Sequence, residues 1–149
     1  MRLEIQGIDR LTKKLSRLGG NVDEAIEEGL LRGGKAVQSS AKLLCPVDSG
    51  ALRNSIVAER ESALEVKVGT NLEYAAYVEF GTGKKGNPSV PHTTKEQWRY
   101  QDDKGNWYTT SGQPPQPFLG PALKECKDQV KKEVVASIEK AIAEASGNG

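Results

Sequence analysis

The chain has 149 residues, 36% of them hydrophobic and 28% charged, with a formal net charge of +1, sixteen glycines and seven prolines. That length fits one domain over residues 1–149, which buries roughly 68–70% of its extended-chain surface on folding, enough for a single core. The near-neutral balance excludes a global field that draws in nucleic acid or an anionic membrane, and no apolar run approaches the ~20 residues of a membrane span.

Two cysteines, Cys45 and Cys126, stand far apart, and the N-terminus has no charged stretch leading into an apolar one. A soluble, cytosolic chain with reduced thiols is expected, because disulfides need an oxidising compartment.

Near the N-terminus, Ile8, Leu11, Leu15 and Leu18 recur at steps of three and four with Arg10, Lys13, Lys14 and Arg17 between them. The spacing predicts a short amphipathic helix stopped by Gly19-Gly20. Asn21 then stands three residues before Glu24, the spacing of a capping box, and predicts the start of a second helix. Its apolar or small positions are Val22, Ile26, Leu30, Gly33, Val37, Ala41 and Leu44, and Pro46 cannot continue it. Gly29, Gly33, Gly34 and Ala36 lower helix propensity but let another element approach closely.

After Pro46 the period changes. Leu64, Val66 and Val68 alternate with Glu65 and Lys67, which predicts a β-hairpin over about 54–60 and 63–70. In the stretch from Asn71 to Gly83, Tyr74, Tyr77, Val78 and Phe80 fit one or two helical turns ended by Gly81.

Residues 84–116 are the least regular part and predict a flexible, projecting excursion. Inside it, two aromatic arms, Trp98/Tyr100 and Trp107/Tyr108, flank Asp102-Asp103-Lys104-Gly105-Asn106, the pattern of a hairpin. From Phe118 onward, Ala122, Cys126, Val130, Val134, Ile138, Ala141 and Ala145 fall at helical steps, predicting a long helix with a disordered tail at 146–149.

Gly81, Gly83 and Gly86 match the G-x-G-x-x-G pattern of a dinucleotide turn, yet that turn must open a helix, which Pro88 and Pro91 forbid. A Walker loop fails too, since no Lys-Ser/Thr pair follows the last glycine. The single histidine, His92, lies in a proline-flanked loop without a nearby cysteine or carboxylate pair. Asp48-Ser49 before Gly50 reads as a turn or helix cap rather than a nucleophile. One histidine, two distant cysteines and no Asp-rich loop cannot supply a structural zinc or calcium site, so no metal, cofactor or catalytic residue is assigned. The thiols read as core fillers. The basic residues of the first helix, Lys84-Lys85 and Lys131-Lys132 read as solvated surface, and Gln113-Pro114-Pro115-Gln116-Pro117 as a stiff lead into the last helix.

Three segments in order resemble the tail-component family of tailed bacteriophages and prophages named for the gene-10 product of a lambdoid phage. The matching positions are Pro46, Val47, Asp48, Gly50, Leu52, Arg53 and Ser55, then Tyr74, Ala75, Val78, Glu79, Gly81 and Thr82, then Pro117, Phe118, Leu119, Pro121 and Ala122. Taken over the chain, the resemblance runs from about residue 20 to 145. Ser49 replaces the usual Thr, and the insertion 87–113 departs from the pattern.

The resemblance implies a non-enzymatic virion protein of the neck or tail terminus, made in the host cytoplasm and concerned with tail completion or head–tail joining. It implies a ring, hexameric, with DNA passing through the lumen without specific binding, and neck and tail-tube proteins as partners. The expected architecture is α+β: two N-terminal helices and a long C-terminal helix packed on a small antiparallel sheet built around 52–70, helped by 97–109. Arg53 and Glu79 are opposite charges able to pair within a subunit or across a boundary, and Phe118 with Leu119 anchors the last helix. Lys84, Lys85, Trp98, Tyr100, Trp107 and Tyr108 are candidates for contacts with a neighbour. The alternatives are a small nucleic-acid-binding module, using the basic helix and the aromatic hairpin as a stacking platform, and an enzyme holding a phosphate ligand at 81–86.

Overall fold

The computed structural model describes residues 5–47, 50–62, 64–90, 95–102 and 104–148. Its elements in chain order are α1 (Ile8–Arg17), α2 (Val22–Leu44), α3 (Ala51–Ser55), β1 (Val57–Ser62), β2 (Glu65–Gly69), α4 (Ala75–Phe80), β3 (Trp98–Gln101), β4 (Trp107–Thr110) and α5 (Leu119–Ala143). The fold is α+β, as the sequence predicts.

Both N-terminal helices begin and end on their expected signals. Gly19, at φ 81°, donates its amide to the Ser16 carbonyl, and Gly20 donates to Leu15 O, which closes α1 in a Schellman arrangement. Asn21 Oδ1 accepts the Glu24 amide at 3.1 Å and caps α2. Cys45, in extended backbone before Pro46, ends α2.

The small residues of α2 explain the layering. A Cβ on Gly29 would lie 2.5 Å from Val134 Cα, and one on Gly33 would lie 2.9 Å from Val130 Cα, so α5 approaches α2 backbone to backbone. A Cβ on Gly34 would meet Val66 Cγ1 at 2.7 Å, so the β1–β2 hairpin sits as tightly on another side. Helix α2 is therefore the central element, packed by the hairpin on one side and by α5 on the other. This corrects the expectation that the last helix packs on the sheet.

Two clusters make up the core. One gathers Val37, Ala41, Cys45, Leu52, Ile56, Ala75, Phe118, Ala122 and Val130 around the C-terminal half of α2. The other holds Leu15 of α1 against Ala25, Val134, Ile138 and Ile142. Buried Ser137 enters this apolar contact with its hydroxyl donated to the Ala25 carbonyl at 2.7 Å, which leaves no unmet donor.

The strand boundaries differ from expectation. Residues 54 and 55 finish α3 and Ile56 caps it, so the first strand begins at Val57. β1 and β2 pair antiparallel from Val57↔Gly69 to Ser62↔Glu65, with an irregularity between Arg60 and Ser62. The 97–109 segment gives no help to this sheet: β3 and β4 form a separate two-stranded sheet. Leu44, expected on the core face of α2, is largely exposed at the helix end. After α5 a π-type turn follows over Glu144–Asn148, interrupted at Gly147, whose φ of 83° is not helical. The Asp48-Ser49 turn and His92 lie outside the described residues.

Candidate functional site

The distinctive feature is the arm between α4 and α5, and its root is tightly closed. Thr82 and Gln113 exchange backbone hydrogen bonds of 2.9 and 3.2 Å and form an isolated antiparallel bridge. Gly81 and Gly112 stand at φ 75° and 92°, and a Cβ on Gly112 would lie 2.3 Å from the Thr82 carbonyl oxygen. These glycines let two backbones cross in contact. They therefore close the root of the arm.

Helix α4 is satisfied by the returning strand. Gln113 Nε2 donates to the Tyr77 carbonyl at 3.1 Å, and the Gln116 and Asn87 amides donate to Val78 O and Phe80 O. Of the carbonyls that a short helix leaves open at its C-terminus, those of Tyr77 and Val78 are closed by the proline-rich lead-in and that of Phe80 by Asn87. A 3-10 turn over Gly83–Lys85 follows, so no helix opens after the glycines and the phosphate cradle is absent there.

Beyond the root the chain forms the expected aromatic hairpin, with Trp98↔Thr110, Arg99↔Thr109, Tyr100↔Tyr108 and Gln101↔Trp107 as partners. The two-residue alternation of a strand sorts these side chains onto opposite faces. One face carries Trp98, Tyr100 and Tyr108, the two tyrosine rings stacked at 5.5 Å between centroids. The Trp98 indole is half-buried and rests on Gly83, where a Cβ would lie 2.9 Å from the ring. The other face carries Trp107, 58% exposed, with the Arg99 guanidinium carbon 5.1 Å from its ring centroid.

Asp102 organises the turn. Its carboxylate accepts the backbone amides of Lys104 and Asn106, both at 2.9 Å, as an Asx-type turn does. The Asn106 amide bond, foremost among these contacts, holds the Asp102 carboxyl below its ordinary range. The same carboxylate, by hydrogen bonding and then by charge, pushes the neighbouring Tyr108 phenol up.

The remaining candidates are dispersed. Lys84 is exposed and paired with Glu96, and Lys85 is exposed in the 3-10 turn. Arg53 is exposed on α3 and does not meet Glu79. Instead the Glu79 side chain, 8% exposed, accepts the amides of Phe118 at 2.7 Å, Leu119 at 3.0 Å and Gly120 at 2.8 Å. Phe118 is fully buried, so it is the anchor of α5 and not a contact surface. Cys45 is buried as well, and desolvation raises its thiol pKa, with the Arg53 charge opposing the shift and Glu79 adding to it.

A second feature had no signal in the sequence: an open trough of about 1220 Å³ lying over α2. Val66 and Val68 of β2 form one wall, Leu119 and Leu123 of α5 the other, and Phe80 of α4 stands at its margin. The trough exists because α2 holds the hairpin and α5 apart. Among the described residues, no three His, Cys, Asp or Glu side chains are placed to hold a metal ion, and no helix is long and apolar enough to cross a membrane.

The basic helix α1 and the root of the aromatic arm meet α5 at different places. α1 packs on α5 near Val134–Ile142, whereas the arm root reaches α5 at Phe118–Gly120, about 20 Å or more away at 1.5 Å per helical residue.

A helical body, an aromatic hairpin whose root is closed by Thr82 and Gln113, and an open trough beside α2 define an α+β protein. The family model described as "Bacteriophage HK97-gp10, putative tail-component" matches residues 9–81, just under half of the chain, and over this stretch the chain is similar to that phage tail-component family. The match ends at the first glycine of the arm root, so the hairpin and α5 lie outside it, although the resemblance was expected to run to about residue 145. No curated protein and no solved structure matches the chain.

Proposed function

We propose that the protein is a structural component of the phage neck or tail terminus, acting in tail completion or head–tail joining. It assembles there as a closed ring, a hexamer around the DNA channel, in contact with other neck and tail-tube proteins. The observation that carries this reading is the family match over 9–81 on the same chain as a projecting arm whose root is held in place by Thr82–Gln113.

A ring of one subunit type needs heterologous contacts, in which two different patches on each copy meet. A rigidly rooted arm with exposed aromatics supplies one such patch, since aromatic side chains are enriched at protein interfaces. A formal net charge of +1 suits a lumen through which DNA must pass without being held, because each phosphate contact would slow it. The chain is made in the host cytoplasm and ends in the virion.

Electron microscopy of particles produced with and without this chain tests the reading. The expected result is tails without heads, or tails of abnormal length, when it is missing. Normal infectious virions in its absence would refute the proposal.

A further inference from the structure

The aromatic arm and the apolar trough are two unmet surfaces of one chain. We propose that the Trp107/Arg99 face of the β3–β4 hairpin inserts into the trough of a second copy of this chain, the inference resting on the ring reading above.

Four observations converge on this pairing. A two-stranded hairpin alone is marginal in water and needs a further surface to pack on. Among the described residues the β3–β4 hairpin packs mainly strand on strand, and Trp107 remains 58% exposed. The trough exceeds the ~300–1,000 Å³ of a small-molecule pocket and lies open along its length, which suits a piece of polypeptide. One wall is β2, which among the described residues pairs only with β1 and so leaves its other edge open to an incoming strand.

The charges are complementary as well. The rim carries Glu65 and Glu73 against Lys67, and among the described residues neither carboxylate is in an ion pair. The docking face of the hairpin carries Arg99, Gln101, Trp107 and Thr109, with one cation and no acid. Arg99 already lies over the Trp107 ring, so the aromatic anchor and the cation enter as one preorganised unit. Trp and Arg are the side chains most often found at the energetic centre of an interface. Each copy gives an arm and receives one, the head-to-tail pattern that closes into a ring.

The test is site-specific photo-crosslinking in assembled particles. Trp107→p-benzoylphenylalanine keeps an aromatic anchor at the arm; after irradiation of purified tails, the expected product is a ladder of covalent multimers of this chain. Peptide mapping should place the crosslink in residues 64–80 or 119–130. Arg99→Glu should reduce its yield about tenfold, equivalent to ~1.4 kcal/mol. Combining Arg99→Glu with Glu65→Arg and Glu73→Arg should restore it. Crosslinks only to a different tail protein, or a self-crosslink mapping elsewhere, would overturn the arm-in-trough contact while leaving the tail assignment standing. Absence of the chain from purified particles would overturn both.

Discussion

Glu79 Oε2 accepts the backbone amide of Phe118 at 2.7 Å, a contact between residues 39 positions apart. Together with the bonds to Leu119 and Gly120 it caps α5 from a different helix, since Phe118 at the N-cap has no side-chain oxygen to offer. Pro121 completes the arrangement by having no amide, and Ala122 donates to the Phe118 carbonyl at 3.3 Å. No amide at this end of α5 is left open. Glu79→Ala is expected to cost about 2–4 kcal/mol, from a lost cap and buried amides without partners. Urea unfolding measures this, and Arg53→Ala should stay within ~0.5 kcal/mol as an exposed residue without an ion pair. Equal losses from the two variants would bring back the ion-pair account.

Gly29 tests the backbone contact between α2 and α5. Alanine is the better helix former by ~1 kcal/mol, but its Cβ would sit 2.5 Å from Val134 Cα, which is backbone and cannot rotate away. Gly29→Ala should therefore destabilise by a net ~2 kcal/mol, lowering the melting temperature by about 4–8 °C. Gly69→Ala, with nothing within 4 Å of the new Cβ, is the control and should stay within ~0.5 kcal/mol. A neutral Gly29→Ala would show that the helices can separate freely.

The arm root should open without unfolding the body. Gly112→Ala forces a strained backbone and a contact of 2.3 Å with Thr82 O, so the Thr82–Gln113 bridge breaks. Trypsin should then cut at Lys95, Arg99 or Lys104 several-fold faster, while the far-ultraviolet circular dichroism at 222 nm, dominated by α2 and α5, changes little. Unchanged cleavage would mean that the bridge does not hold the arm.

The hairpin turn should respond to acid. The Asp102 carboxyl is depressed in the folded chain, so its contribution is present above the ordinary carboxyl value of 3.8 and is lost as pH falls through the depressed one. Amide resonances of Lys104 and Asn106 should shift below pH 3.8, and Asp102→Asn should abolish that titration. A titration in the variant identical to the parent would assign the effect to another group.

Much of the fold was legible in the residues because its signals are local. Asn21 before Glu24, Gly19-Gly20 after Leu18 and Pro46 after Cys45 each act within a few positions, and all three mark real boundaries. The facing aromatics of the β3–β4 hairpin were also readable, by alternation around a Gly-Asn turn. The role of Glu79 was not, because its partners are backbone amides nearly forty residues away, and a carboxylate read alone invites a cation such as Arg53. One clue was present: the stretch before α5 has no Ser, Thr, Asp or Asn at its cap position, so another segment had to supply the acceptor. The trough was invisible for a related reason. Leu119, Leu123, Val66 and Val68 are ordinary core-type residues, and only the separation of β2 and α5 by α2 leaves them half covered.

Because α4 carries the arm root at one end and the capping carboxylate of α5 in its last turn, the hairpin is mechanically in series with the longest helix of the molecule. Tension on Trp107 passes through the Thr82–Gln113 bridge into six residues of helix and from Glu79 into the N-terminus of α5. If the arm is held by a second copy as proposed above, a pull on it would load the N-terminus of α5 rather than only the hairpin.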